Sequence, residues 1–279
     1  MIRLAIRVAR ADAEIALAEL LEIAPAGFEE VDHGDTIEYA LYGAEGELPT
    51  LPDLRAAAGR ALVEVTTTQV ADDWASRWRE FHKPVTIGGR LHVRPPWHGS
   101  SPVGAPDSSG ELIDIVIDPN QAFGTGAHHT TRLCLEAMLE LGPTGALVDL
   151  GCGSGVLAIA AARLGWTPVL GIDHEHEAVL AARENAGVNG VQIEVRQGDL
   201  LHGGGPAPSA PTVVANLLRP LLEHVARVGF EGEPPRVLVA GGLLRAEADG
   251  IAAAFAAAHG MHERARGESG EWAVLTLAR

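Results

Sequence analysis

Two cysteines, one lysine and the absence of any long apolar run set the first limits on this 279-residue sequence. Cys134 and Cys152 have no metal-ligand spacing, and they fall in a helical pattern and a glycine turn, as in a protein of the reducing cytoplasm. No apolar stretch approaches the ~20 residues of a membrane span. Met1-Ile2-Arg3-Leu4-Ala5-Ile6 lacks the basic, apolar, small-residue series of a secretory signal. Basic charge is also short: 21 Lys and Arg face 37 Asp and Glu, a formal net charge of −16. Nucleic acid must be met by Lys and Arg, so this balance argues against it and favours a basic partner. That Lys83 is the single lysine carries no functional weight. The length allows a sizeable core and more than one domain.

What is present is organised around Val148-Asp149-Leu150-Gly151-Cys152-Gly153-Ser154-Gly155-Val156. An apolar run with an acidic residue near its end leads into three glycines at alternate positions, then into a helical pattern: a strand turning sharply into a helix. A dinucleotide fingerprint would need Gly or Ala at Val156, and Gly155 falls one place early. The alternative ligand is the adenosyl-sulfonium cofactor, which has no phosphate. To it the turn offers bare backbone, and Asp149 a carboxylate within reach of an ammonium group, directly or through water. Alone, such a turn is weak evidence, since a tight structural βα connection can carry the same glycines. Three further runs sharpen the reading. Val169–Asp173 ends in a carboxylate placed to accept both ribose hydroxyls. Val191–Val195 leads to Gly198-Asp199, the place for an adenine contact, and Pro211–Ala215 ends in Asn216.

Taken in order, the first 70 residues read strand (2–8), helix (11–23, capped by Asp12, apolar face Ile15, Leu17, Leu20, Leu21), strands 27–31 and 36–42, helix 54–61 and strand 62–68. This is the split βαβ order of a ferredoxin-like domain. It holds 13 acidic and 5 basic side chains, a net of −8, which is either a solvated surface or a docking face for a cationic protein. Residues 71–115 read as a bridge: a short helix with Trp74 and Trp78 on one face, where core packing is the simpler role, then extended chain to Pro95-Pro96-Trp97 and a Ser/Pro/Gly loop. From residue 116 to 279 strands and helices alternate, the pattern of a doubly wound, mostly parallel sheet. The fifth strand ends at Gly241-Gly242, and a strand at 272–277 after the last helix is expected to run antiparallel.

Phe123-Gly124-Thr125-Gly126-Ala127-His128-His129-Thr130-Thr131 stands just before a helix. Thr130 and Thr131 could cap that helix. The functional reading is a cover over the cofactor, with Phe123 against it and a threonine near its carboxylate. Adjacent histidines point apart and no carboxylate lies at ligand spacing, so no metal is expected.

These residues resemble one family, the class I methyltransferases that modify large-subunit ribosomal protein L-eleven. Phe123–Thr131, Asp149–Ala158, Gly171-Ile172-Asp173 and Ala215-Asn216-Leu217 carry the match, with Gly270-Glu271-Trp272 at the end. The match is strong over the C-terminal two-thirds and mainly one of layout over the first 70 residues. It implies a Rossmann-like class I methyltransferase domain, S-adenosyl-L-methionine as cofactor, and contacts at Thr131 or Thr130, Gly151, Asp173 and Asn216. With the reading above, the candidate cofactor residues are Phe123, Thr130, Thr131, Asp149, Gly151, Gly153, Asp173, Asp199 and Asn216. Asn216 is also the candidate catalytic residue, its carbonyl aiming an amine. The resemblance further implies an N-terminal domain that grips the substrate protein, a bridge that lets it swing, and modification of lysine side chains and the N-terminal α-amine. A monomer is expected. One departure stands out: many amine methyltransferases place Pro-Pro-aromatic after the asparagine, and this chain has Leu217-Leu218-Arg219. The rival readings are a related enzyme acting on another protein lysine or a small amine, a binding module that has kept the fold, and a nicotinamide oxidoreductase.

Overall fold

A computed structural model describes residues 2–24, 28–43, 48–69, 82–99, 112–119, 128–201 and 205–279. The chain forms two compact units, Met1–His82 and Lys83–Arg279. The helix read at 73–81, with Trp74 and Trp78, lies outside the described residues, as does Phe123.

In the first unit β1 (Ile2–Ala9), α1 (Ala13–Ile23), β2 (Glu29–Asp32), β3 (Thr36–Gly43), α2 (Leu51–Ala58) and β4 (Leu62–Gln69) follow one another. The strands form one antiparallel sheet in the order β2-β3-β1-β4. α1 buries Ala13, Ala16, Leu17, Leu20 and Leu21, the i, i+3, i+4, i+7, i+8 stripe of an amphipathic helix. Ile15 was expected on that stripe but lies about 200° from Leu17 around the helix and is 53% exposed. Asp12 holds the N-cap position, but its side chain makes no capping bond. α2 is closed instead by Thr50, whose amide donates to Asp53 Oδ2 at 3.0 Å. On the sheet, Glu38 of β3 is held between Arg3 and Arg7 of β1 at 2.8 and 2.9 Å.

The second unit opens with a small sheet, β5 (Val85–Ile87), β6 (Leu91–Arg94) and β7 (Ile113–Val116), in that order. There follow α3 (His129–Leu141), β8 (Leu147–Leu150), α4 (Val156–Leu164), β9 (Val169–Asp173), α5 (His176–Val188), β10 (Glu194–Gln197), β11 (Thr212–Asn216), α6 (Arg219–Val228), β12 (Val237–Leu244), α7 (Arg245–His259), β13 (His262–Ser269) and β14 (Trp272–Ala278). Their seven strands make one sheet, β10-β9-β8-β11-β12-β14-β13. The first five run parallel, and β14 is antiparallel to both its neighbours. The inner parallel strands β8 and β11 read as apolar runs because both their faces are covered, whereas β10 at the edge buries only Val195. On one face Val213, Ala215, Leu238 and Leu275 pack with Leu222, Ile251 and Phe255 of the helices.

Three expectations are corrected in this unit. β13 was not anticipated: His-Glu-Arg-Ala-Arg-Gly-Glu-Ser is an exposed edge strand whose charged side chains carry no apolar alternation. The third parallel strand begins at Glu194, three residues after the apolar run that announced it. β12 does not end at its glycine pair but continues through it to Leu244, with a register shift between Ala240 and Leu243. The chain reverses its direction across the sheet between β8 and β11. The crevice at their carboxyl ends is where open α/β sheets bind ligands.

Candidate active site at the carboxyl ends of β8, β9 and β11

Asp149 is the third residue of β8 and is fully buried. Its Oδ2 accepts from the Ala158 amide at 3.1 Å, one of the donors left over in the first turn of α4. Its Oδ1 is buried with no protein partner. Burial pushes its carboxyl up to about 7, and the nearby negative charge of Asp173 pushes the same way.

The glycine turn closes on itself. The Gly151 and Cys152 amides donate to Ile172 O at 2.8 and 2.9 Å, and the Gly155 amide to Cys152 O at 2.8 Å. The Gly153 amide donates to Asp173 Oδ2, also at 2.8 Å. Gly151 has φ +73°, and a Cβ there would lie 2.4 Å from Leu217 Cδ2. These two constraints are why the position is glycine. Four amides of the turn are therefore spent inside the protein, and two carboxylates flank it. A pyrophosphate would meet like charge and find those donors already used, whereas a cation would be attracted. This disfavours a dinucleotide, in agreement with the residue spacing.

Asp173 ends β9, and its Oδ1 accepts from the Glu175 amide at 3.1 Å. The Gly198 amide donates to Asp173 O at 2.8 Å, which sets the following turn against this strand end. Asp199 is exposed there, and its Oδ1 accepts from the Leu201 amide at 2.7 Å.

Asn216 ends β11. Its Nδ2 donates to Thr131 Oγ1 at 3.3 Å, and its Oδ1 is buried without a protein partner. Thr131 is fully buried. Thr130 is engaged elsewhere, its hydroxyl 2.8 Å from His128 Nδ1. The threonines do not cap α3; His128 does, with Nδ1 accepting from the Thr130 amide, and Thr130 and Thr131 lie in the first turn. His128 packs edge-on against Trp272, and burial lowers its pKa to about 4. His129 turns away to Ser269 Oγ at 2.8 Å. Among the described residues no group of three or more His, Cys, Asp or Glu could hold a metal ion.

Gly241 and Gly242 were passed over as mere strand ending. Gly241 pairs with Asn216, and a Cβ on it would lie 2.4 Å from Cys134 Sγ and 3.2 Å from Asn216 Oδ1. Gly242, at φ +77°, would bring a Cβ to 2.5 Å from Leu217 O. Two glycines inside an apolar strand pattern were the signal for a close approach.

The structure thus brings together Thr131, Asp149, Gly151, Gly153, Asp173 and Asn216. It leaves two buried acceptor oxygens, on Asp149 and Asn216, at neighbouring strand ends. This mostly parallel sheet, with a glycine turn flanked by two carboxylates at its switch point, defines a class I methyltransferase, the class that draws its methyl group from S-adenosyl-L-methionine. The family model described as "Ribosomal protein L11 methyltransferase (PrmA)", L11 being the L-eleven named above, matches residues 25–279. The chain belongs to the ribosomal protein L11 methyltransferase family.

Among relatives bearing that name, the one from Caldanaerobacter subterraneus is 42% identical over 162 residues, covering 57% of this chain but only half of the relative's length. That from Geobacter sulfurreducens is 37% identical over 229 residues, 81% of this chain and 73% of the relative. That from Shewanella amazonensis is 35% identical over 252 residues, 88% and 81%. The crystal structure of a ribosomal protein L11 methylase from Lactobacillus delbrueckii subsp. bulgaricus superposes with a TM-score of 0.59 at 27% identity, covering 71% of this chain and 99% of that one.

Proposed function

We propose that the chain transfers methyl groups from S-adenosyl-L-methionine to amines of ribosomal protein L11, both lysine side chains and the N-terminal α-amine. The cofactor part of this reading is carried by the pair of buried acceptors without protein partners, Asp149 Oδ1 and Asn216 Oδ1, and the substrate part is supported by the family match over residues 25–279. Buried polar atoms are usually paired, and these two acceptors stand at neighbouring strand ends in the crevice, where ligand donors would pair them. Asp149 suits the cofactor's ammonium group, and Asp173, at the end of the next strand, suits two ribose hydroxyls. Gly151 and Gly153 bring bare backbone alongside. Asp199 is assigned to the adenine, and Phe123 to the cover over the cofactor.

When bound, the cofactor supplies a methyl group on a sulfonium, already a good leaving group. The protein's part is to hold the amine neutral and aimed. A lysine amine near pKa 10.4 needs roughly 4–5 kcal/mol to be neutral at pH 7, and an α-amine near pKa 8 only about 1 kcal/mol. Removal from water lowers that demand. Thr131 takes one Nδ2 hydrogen of Asn216, which orients the amide so that Oδ1 is the atom offered to an N–H of the substrate. No aromatic residue follows Asn216, so a methylated cation gains no aromatic face there, and Leu217 instead packs on the glycine turn.

The first unit is read as the ferredoxin-like substrate-gripping domain over 1–70, with 71–115 as bridge and 116–279 as catalytic domain. Its βαββαβ order and β2-β3-β1-β4 sheet support the first assignment. Its net charge of −8 suits a cationic partner. A cytoplasmic monomer without direct contact to nucleic acid completes the proposal. Among the described residues no helix is long and apolar enough to cross a membrane. Asn216→Ala tests the catalytic assignment: turnover on L11 should fall by at least ~100-fold while calorimetry finds the cofactor still bound. Equal loss of cofactor binding would make Asn216 a binding residue only.

A further inference from the structure

Two buried asparagines, Asn185 and Asn189, stand one turn apart around the end of α5, 2% and 8% exposed. Residues four apart share a helix face, and residues two apart on extended chain present their N–H and C=O to the same edge. The two periods meet here. Asn189 Nδ2 donates to Val116 O at 2.6 Å, and its Oδ1 accepts from the Val116 amide at 2.8 Å. Asn185 repeats this on Asp118: Nδ2 donates to Asp118 O at 3.4 Å, and Oδ1 accepts from the Asp118 amide at 2.9 Å. The two side chains stand where a neighbouring strand would and close the edge of β7. Asn185 then does one thing that Asn189 does not. Its Nδ2 also donates to Ser154 O in the glycine turn, at 2.9 Å.

We propose that Asn185 is a positioning residue for the cofactor site, whereas Asn189, whose Nδ2 also donates to Asn185 O at 2.8 Å, anchors β7 to the helix end and does not reach the turn. The inference rests on the cofactor assignment above. One buried amide with every hydrogen engaged ties the turn at Gly153–Gly155 to Asp118. Ser154 has no freedom to drift without breaking that bond, and Gly153, whose amide orients Asp173, is its direct neighbour. The turn is therefore fixed before the ligand arrives, and binding energy is not spent on ordering it.

Asn185→Asp is the test. It keeps the shape and the acceptor for the Asp118 amide, but it turns an oxygen toward two carbonyls where a donor stood. Asn189→Asp is the matched control: it too turns an oxygen toward two carbonyls, those of Val116 and Asn185, but its side chain makes no contact with the turn. Both variants should melt below wild type, by a similar amount. Asn185→Asp should weaken S-adenosyl-L-methionine binding, measured by calorimetry below either midpoint, by about tenfold. Its KM for the cofactor should rise in proportion, with kcat within about twofold, as for a loss of uniform binding. Asn189→Asp should bind within about twofold of wild type. If Asn185→Asp does not fold, Asn185→Ser, which leaves room for water, is read by the same contrast. Equal weakening in both variants, or wild-type affinity in Asn185→Asp, overturns the inference while leaving the cofactor assignment intact. A wild-type protein that binds no cofactor overturns both.

Discussion

Asp149→Asn isolates the buried charge of the site. The carboxyl is fully buried, one oxygen bound to the Ala158 amide at 3.1 Å and the other without a protein partner. Burial raises its pKa from the ordinary 3.8 to about 7. Between these values the folded protein holds a proton that the unfolded chain has released. Stability without ligand is therefore highest below pH 4 as far as this group is concerned, and it falls as pH rises toward 7. At about 1.36 kcal/mol per pH unit the ceiling on that loss is about 4 kcal/mol. Asparagine keeps the acceptor for Ala158 and removes the charge. Denaturant titrations from pH 4 to 9 should show the wild-type decline flattened in Asp149→Asn, with the variant the more stable protein above pH 7. Cofactor binding should move the opposite way. A cation brought to Oδ1 favours the ionised form, so wild-type binding near pH 7 should release a fraction of a proton, measurable by calorimetry in buffers of different ionisation enthalpy. The variant should release none, and should bind about tenfold or more weakly at pH 8. Identical pH slopes in the two proteins, or unchanged affinity in the variant, would refute the assignment of Asp149.

His128 gives the reverse slope. Burial takes its pKa from 6.5 to about 4, so the unfolded chain binds the extra proton, and stability is lost as pH falls through that interval, up to about 3 kcal/mol. His128→Asn keeps a capping side chain and should remove that acid sensitivity, read from melting curves at pH 4 to 7. Gly151→Ala should weaken cofactor binding about tenfold or more by calorimetry, because φ +73° is strained for alanine and the new Cβ displaces Leu217. Gly242→Ala meets the Leu217 backbone at 2.5 Å and should cost about 2–4 kcal/mol in a denaturant titration. Thr131→Val removes the acceptor that orients Asn216 and should lower kcat about tenfold, with the cofactor Kd changed less, in a steady-state assay paired with calorimetry.

Much of the candidate site was legible because its residues sit at fixed places in the βα repeat. Asp149, Asp173 and Asn216 each close or nearly close an apolar run, and such runs are what a doubly buried parallel strand leaves in a sequence. Thr131 could be placed at the start of a helix, but its bond to Asn216 spans 85 residues and no local pattern encodes it. The same holds for Asn185 and Asn189, which read as ordinary polar residues of an amphipathic helix until the strand they hold is seen. β13 escaped because an edge strand facing water has no apolar period to show. Ile15 misled in the other direction: one apolar side chain beside a true stripe does not widen the buried face. The glycine pair of β12 was visible, but its reason, the close approach to Asn216 and Leu217, belongs to the tertiary fold.

The central claim is tested most directly by the intact mass of purified ribosomal protein L11 before and after incubation with this protein and S-adenosyl-L-methionine. The account predicts additions in steps of one methyl group, placed by fragmentation on lysine side chains and the N-terminal amine and absent with Asn216→Ala. An unchanged L11 mass, under conditions where the same preparation methylates another protein or a small amine, would contradict it.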